Sequence, residues 1–204
     1  MTDCFEGIRE RFLLSCSMFE RALNAIRPEQ WVRPTPCAEW NVRQLVNHVT
    51  RGNLNYANLV EGGSAAEFLR QREVDALGTD PVAAFARSVS TCADAFAQPG
   101  ALCRVLDYPL GRIAGRQALA VRTTDTTIHS WDLARALGVD DTLDPGLVAW
   151  IADHLDEIYT DLPETRTAID TTHRFFAAAR AAAAGDGPRQ DRLLRQMGRA
   201  PRPR

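Results

Sequence analysis

Apolar residues recur at helical spacing in run after run of this chain, and prolines and glycines fall between the runs. Phe5, Ile8, Phe12, Phe19, Leu23 and Ile26 form the first stripe, and Pro28 closes it. Residues three and four apart share one face of an α-helix, so this spacing predicts a helix over about residues 3 to 26. A loop with three prolines follows, RPEQWVRPTPCAEW, whose Trp31 and Trp40 are expected to plug it against the core. Asn41 then reads as an N-cap with Gln44 at the capping-box position, opening a second helix that runs to about Glu61. Its inward residues are Leu45, Val49, Tyr56 and Leu59 or Val60.

Glu61-Gly62-Gly63-Ser64 breaks that helix, and residues 64 to 79 form a polar connection, helical or irregular, that reads as a lid or a plain crossover. Pro81 suits the first turn of a third helix with Val82, Phe85, Val89, Cys92 and Phe96 on its buried face. Residues 102–113, LCRVLDYPLGRI, alternate around a Pro-Leu-Gly turn and predict a short hairpin or extended excursion. A long helix from about Gly115 to Leu137 follows, with Gly138 as its C-cap. Asp144 and Pro145 start another helix, with Leu147, Val148, Ile151, Leu155 and Ile158 facing the core. The alanine-rich run at 175–185 is expected to be helical. The pattern is all-α, with no repeat and no inter-domain linker: one domain at 1–185 carrying an arginine-rich extension at 186–204.

Composition removes several chemistries. All 24 basic residues are arginine, so there is no lysine for a Schiff base, for anchoring pyridoxal phosphate or for a P-loop. A formal net charge of −2 gives no reason to expect nucleic acid, and the basic tail, from Arg189 through Arg199 to Arg204, reads as a solvated helix and a frayed end. No window approaches the ~18 consecutive apolar residues of a membrane span. The charged N-terminus lacks the order of a signal peptide, so a cytoplasmic address is the default. Cys4, Cys16, Cys37, Cys92 and Cys103 are scattered, which argues for reduced thiols rather than a disulfide frame. Cys37 precedes a helix N-terminus that could activate a thiol, although a small residue packing the loop is the simpler reading.

The chemistry concentrates in TTDTTIHSWDLARALG, residues 123–138, where Asp125, His129 and Asp132 fall at i, i+4 and i+7 on one helix stripe. A carboxylate and an imidazole placed so can grip one ion. The spacing alone equally allows a locally bonded Asp125 and a satisfied, half-buried His129 beside Trp131. His48, one position off the apolar stripe of the second helix, shares a face with Gln44 and Asn55. If the two helices pack together, it completes an N/N/O set with one coordination position open, the mark of a catalytic rather than a structural site. Arg122 could orient the Asp125 carboxylate or bind an anionic substrate, with a surface ion pair as the plainer alternative. Asp132 reads as an acceptor for an imidazole N–H rather than a direct ligand. Asn55 and Tyr108 are candidates for the substrate pocket, and His154 and His173 are assigned to surface or structural roles.

The runs PTPCAEWNVRQLVNHV, YPLGRIAGRQALAVRTTDTTIHSWDLARALG and DRLLRQMGRAP together resemble actinobacterial metal-binding proteins of the DinB-like class, grouped with the N-terminal domain of mycothiol-dependent maleylpyruvate isomerase. The resemblance implies a DinB-like four-helix bundle. It also implies a divalent ion, zinc foremost, held by His48, Asp125 and His129, with a low-molecular-weight thiol such as mycothiol as cosubstrate. The isomerase has a glutamate where this chain has Asp125, and an additional C-terminal domain where this chain has a short arginine-rich segment. The fold is therefore expected to carry over while the substrate need not. The expected activity is a metal-dependent isomerisation or S-transfer on an electrophilic small molecule, with specialised metabolism one open setting. The competing class is a non-catalytic metal-binding, small-molecule-binding or interaction protein on the same bundle, and a homodimer is left open.

Overall fold

The computed structural model describes residues 4–38, 40–162 and 187–201. The bundle begins with α1 (Ile8–Leu23), preceded by turns rather than by the helical residues expected from position 3. Gly7, at φ 69°, sets the start, because a left-handed backbone cannot continue into the helix from its N-terminal side. After a short 3-10 turn at Pro28–Gln30, α2 (Val42–Val60) opens on the Asn41/Gln44 capping box read from the sequence. Ser64 and Glu67 form a second box that starts α3 (Ala65–Gln71), the ordered part of the polar connection. Asp80 caps α4 (Pro81–Ala97), whose Phe85, Cys92 and Phe96 are buried. Val82 departs from the expected face: it lies in the first turn, turned away from the core, and is 36% exposed.

The excursion at 102–113 is a two-stranded antiparallel hairpin, β1 (Val105–Tyr108) and β2 (Gly111–Ala114), with Tyr108 paired to Gly111 across the turn. It leads into α5 (Gly115–Leu137), which ends at Gly138 with φ 72°. Asp144 caps α6 (Pro145–Asp153). His154 interrupts the expected continuous helix, and α7 (Leu155–Ile158) resumes it for one turn. The last described helix is α8 (Arg189–Gln196). The alanine-rich run, His173 and the boundary expected at 185/186 lie outside the described residues.

The long helices α1, α2, α4 and α5 form the bundle, with α1 against α5 and α4, and α2 against α4 and α5. The fold is all-α, as the helical periodicity requires, and its four long helices pack as the DinB-like bundle that the resemblance implies. Phe12, Phe19, Val46, Leu59, Phe85 and Leu119 fill the shared interior. Among the described residues no helix is long and apolar enough to cross a membrane. The C-terminal helix is not the solvated one expected: Leu193, Leu194 and Met197 are buried, and α8 packs on α6.

The start of α5 is fixed by a close backbone approach. Gly115 N–H donates to the Arg104 carbonyl at 2.8 Å, and a Cβ on Gly115 would overlap the Ala101 carbonyl oxygen. The obstacle is backbone, not a side chain that can swing away, so Gly115→Ala is expected to destabilise the chain by about 1–3 kcal/mol. Thermal unfolding checks this; an unchanged or higher Tm would mean that the 3-10 turn at Ala101–Cys103 yields freely.

Candidate metal centre

The central helix α5 is buried on every side from Ala118 to Ala134 although much of it is polar. Apart from Thr126, whose buried hydroxyl has no partner among the described residues, its threonines and serine return hydroxyl hydrogen bonds to carbonyls four residues back: Thr123 to Leu119, Thr124 to Ala120, Thr127 to Thr123 and Ser130 to Thr126. These hydroxyls satisfy themselves locally and leave the helix free to aim its ionisable groups at neighbours.

Arg122 is one of the most deeply buried large side chains, at 1% exposure, so it is no surface ion pair. Its Nε donates to Asn53 Oδ1 at 2.9 Å, Nη2 to the Val49 carbonyl at 3.0 Å and Nη1 to Asp125 Oδ2 at 2.7 Å. The fork is thus pinned to α2 on one side and holds the carboxylate on the other. Gly52 makes this possible, because a Cβ there would fall on the guanidinium.

Around Asp125 the structure brings His129, its partner in the helix spacing, together with His48 of α2. His48 Nε2 lies 3.5 Å from Asp125 Oδ2, and His129 Nε2 lies 3.3 Å from Asp125 Oδ1. The two imidazole centroids are 5.0 Å apart, nearly edge to face. Two bonds of about 2.0–2.1 Å meeting at a tetrahedral angle span roughly 3.4 Å, so these separations match the edges of a four-coordinate zinc-type polyhedron. For a hydrogen bond, 3.5 Å is too long. Among the described residues His48 Nε2 is a buried nitrogen with no hydrogen-bond partner. A lone pair held dry and aimed at a carboxylate is costly unless a cation fills the gap. The donor set therefore fits a divalent ion, each of the three residues offering one ligand atom.

Electrostatics separate the two imidazoles. Burial outweighs the pull of Asp125 on His48 and pushes its pKa down to about 4, leaving a neutral ring. For His129 burial acts in the same direction but loses to the Asp125 charge and to the hydrogen bonds its N–H groups donate to Asp125 and Asp132, which carry it well above its ordinary value. Burial would raise the Asp125 carboxyl, yet His129, His48 and Arg122 hold it well below the carboxylate range. Trp40 covers the pair, its ring centroid 4.4 Å from His48 and 5.7 Å from His129.

The second ring nitrogen of His129 faces the other way. Nδ1 lies 2.9 Å from Asp132 Oδ2, the relation expected of a carboxylate that fixes an imidazole. Asp132 is fully buried and also accepts from Arg199, at 2.7 Å to Oδ2 and 3.3 Å to Oδ1. The Cys37 thiol donates to Asp132 Oδ2 at 3.2 Å and accepts from Arg199 Nη2 at 3.3 Å. Cys37, His129 and Asp132 make a second trio with ligand spacing. A guanidinium sits on the carboxylate of each trio, but Cys37, His129 and Asp132 are all hydrogen-bonded to one another or to Arg199, whereas the first trio keeps His48 Nε2 without a partner and is the better cation site.

Asn55 and Tyr108 both reach a cleft of about 30 Å³ beside Asp125, lined also by Arg51, Tyr56, Phe68 and Arg72. Asn55 is tied to the Phe68 carbonyl at 3.3 Å, so it braces the wall. The Tyr56 hydroxyl donates to that of Tyr108 at 3.1 Å. Burial raises both phenols, Tyr56 well above its usual value, so both stay protonated.

A sequence model of the mycothiol maleylpyruvate isomerase N-terminal domain matches residues 12–134, more than half of the chain. The chain belongs to that family. Two uncharacterized proteins of Mycobacterium tuberculosis, MT0763 of strain CDC 1551 / Oshkosh and Rv0738 of strain ATCC 25618 / H37Rv, are each 35% identical to it over 129 residues. Those alignments cover 63% of this chain and 66% of each relative, just under two thirds of its length. Among solved structures, the mycothiol-dependent maleylpyruvate isomerase is similar at a TM-score of 0.57 and 17% identity, over 74% of this chain and 71% of that one. A histidine-to-alanine mutant of the same enzyme gives 0.60 and 16%, with equal coverage. Identities this low carry the fold alone.

Within this family member, sequence reasoning missed Arg199, Asn53 and the role of Cys37. Their partners lie tens of residues away, and no periodicity links them. One signal was present: Gly198 before Arg199 in QMGRAP marks a helix stop that aims the next side chain.

The buried Asp132 carboxyl makes the fold acid-sensitive in a defined window. Burial would raise it, but Arg199 and His129 bring it down to about 2. A depressed carboxyl stabilises the folded state fully above its unfolded pKa of about 3.9, and that contribution is lost as pH falls through the folded value. Acid titration of the metal-free chain followed by circular dichroism should show Asp132→Asn less stable than wild type at pH 6. The gap should close between about pH 4 and about pH 2; a gap constant across that window would contradict this account.

Proposed function

We propose that the chain is a metal-dependent enzyme that uses a low-molecular-weight thiol on an electrophilic small molecule, the ion being zinc held by His48, Asp125 and His129. The observation that carries the reading is the buried, unpartnered Nε2 of His48 facing a carboxylate–imidazole pair at ligand spacing. Bound there, a divalent ion polarises a carbonyl or lowers the pKa of a thiol that reaches its open position. Imidazole and carboxylate donors with one position free suit zinc. The thiol of this reading is mycothiol or a close analogue, in keeping with the mycothiol dependence named for the family and for its solved relative.

The chain's own residues supply the rest. Arg122 holds the Asp125 carboxylate in place and is itself locked to α2. Tyr108, kept protonated and backed by the hydrogen bond it accepts from Tyr56, is a neutral donor for negative charge that develops on a substrate oxygen. Arg51 and Arg72 line the same cleft and favour an anionic electrophile. In isomerisation the thiolate adds to a conjugated double bond, the resulting single bond rotates and elimination restores the alkene and the thiolate. In S-transfer the enolate left by the addition takes up a proton, and the thioether adduct is the product.

A non-catalytic metal-binding protein is the second reading, favoured by the cleft volume of about 30 Å³. Ligand pockets usually hold about 300–1,000 Å³, whereas this one holds a water or two. Phe68 and Arg72, on α3 and its end, must move outward before anything larger enters.

Metal analysis of the purified chain should find about one zinc per chain, and His48→Ala and His129→Ala should each lose it. Metal retained in both variants would refute the ligand set. Incubation of the zinc-loaded chain with mycothiol and a panel of α,β-unsaturated and other electrophiles, followed by mass spectrometry, should give an adduct or isomer that disappears with the metal. The absence of any metal-dependent product would favour the binder.

A further inference from the structure

We infer that Arg199 is a positioning residue of the metal centre: its guanidinium fixes Asp132, and Asp132 turns the His129 ring so that Nε2 faces the cation position. The inference rests on the ligand set proposed above. It adds to it a residue far from the family-matched segment, which ends at residue 134.

The geometry runs unbroken from the C-terminal helix to the site. The α8 helix is clipped to the body by Gln190, whose side chain accepts from Leu143 N–H at 2.8 Å and donates to the Asp141 carbonyl at 3.0 Å. Leu193 and Leu194 bury its apolar face. The helix then stops at Gly198, with φ 77°. Arg199 N–H returns to the Leu194 carbonyl at 2.8 Å and Gly198 N–H to the Arg195 carbonyl at 3.0 Å. That pair of bonds is a Schellman stop, which reverses the chain and needs the left-handed backbone that glycine adopts most readily. The reversal points Arg199 back into the protein.

Once inside, the guanidinium has no freedom to wander. Its Nη1 donates to the Met197 carbonyl at 2.8 Å, its Nη2 and Nε take both oxygens of Asp132, and the residue is 7% exposed. Asp132 Oδ2 in turn meets His129 Nδ1 at 2.9 Å. Once neutral, as a metal ligand must be, an imidazole whose Nδ1–H is held by a carboxylate presents the lone pair of Nε2, and Nε2 is the atom that faces Asp125. Without Arg199, the side-chain contacts left to Asp132 are the Cys37 thiol and His129 itself, and the ring loses the anchor that sets its tautomer.

The test uses the full chain and four variants: Arg199→Met, Arg199→Lys, Asp132→Asn and the double Arg199→Met/Asp132→Asn. The first readout is the His129 ring tautomer in the metal-free chain, from long-range nitrogen–proton NMR at a pH high enough to leave the ring neutral. Wild type should be protonated at Nδ1, and Arg199→Met should populate both tautomers. The second readout is zinc affinity by competition with a chelator. Arg199→Met should bind about 10- to 100-fold more weakly. The double variant should bind no worse than Asp132→Asn alone, because the arginine acts through the carboxylate. Arg199→Lys, which replaces the fork with a point charge, should fall between wild type and Arg199→Met, and it carries the test if Arg199→Met does not fold.

A wild-type tautomer together with wild-type affinity in Arg199→Met or Arg199→Lys would overturn the assignment. So would affinity losses that multiply in the double variant. Failure of wild type to take up zinc would overturn the ligand set instead, and the metal-free tautomer would still decide whether Arg199 acts on His129.

Discussion

The Asp125 carboxylate, sunk between the Arg122 guanidinium and two imidazoles, is the interaction around which the bundle interior is arranged. A buried carboxylate is tolerated only with positive charge and donors on its oxygens, and removal of one partner of a buried pair costs about 3–5 kcal/mol. Arg122 meets that demand, but a fully buried guanidinium makes demands of its own. Asn53 and the Val49 carbonyl meet two of them, and Gly52 leaves the room. The facing stretches of α2 and α5 are set by this pair as much as by the apolar packing between them.

His129 divides α5 into two electrostatic halves. On one side Nε2 and Asp125 face α2, and the cation position is bounded by His48 and roofed by Trp40. On the other side Nδ1 and Asp132 face the loop that carries Cys37 and the arginine that follows α8. The two trios share one imidazole and are chemically alike in donor spacing. Each carboxylate carries a guanidinium; what separates the trios is that the donors of the Asp132 half are hydrogen-bonded, while the Asp125 half keeps a buried nitrogen unsatisfied. The cleft with Tyr108, Arg72 and Asn55 opens on that unsatisfied half.

Elements were legible in this chain where local chemistry decides them. The Asn41/Gln44 box, Asp80 with Pro81, Asp144 with Pro145 and Gly138 all stand where capping rules put them. The hairpin at 102–113 came from alternation around a turn. The stripe Asp125, His129, Asp132 was legible as well, because i, i+4 and i+7 are fixed by the helix itself. Local signals misplaced the start of α1, the face of Val82 and the break at His154, all at helix ends, where a turn or a neighbouring segment competes with periodicity. The tail was misread for a deeper reason: a run of arginines looks solvated unless one of them has a buried acid to meet.

The sequence by itself determined the helices, their caps and the residues that share a face, since each follows from the chemistry of a few adjacent positions. It determined that Asp125 and His129 could act together, and that His48 could join them if two helices met. Only the tertiary structure decided that they do meet, at 3.3–3.5 Å. Only it decided that Arg122 is interior, and that Arg199 returns across 67 residues of chain to reach Asp132. Contacts of that kind depend on how whole helices pack to bury their apolar faces, and no short window of residues contains that information.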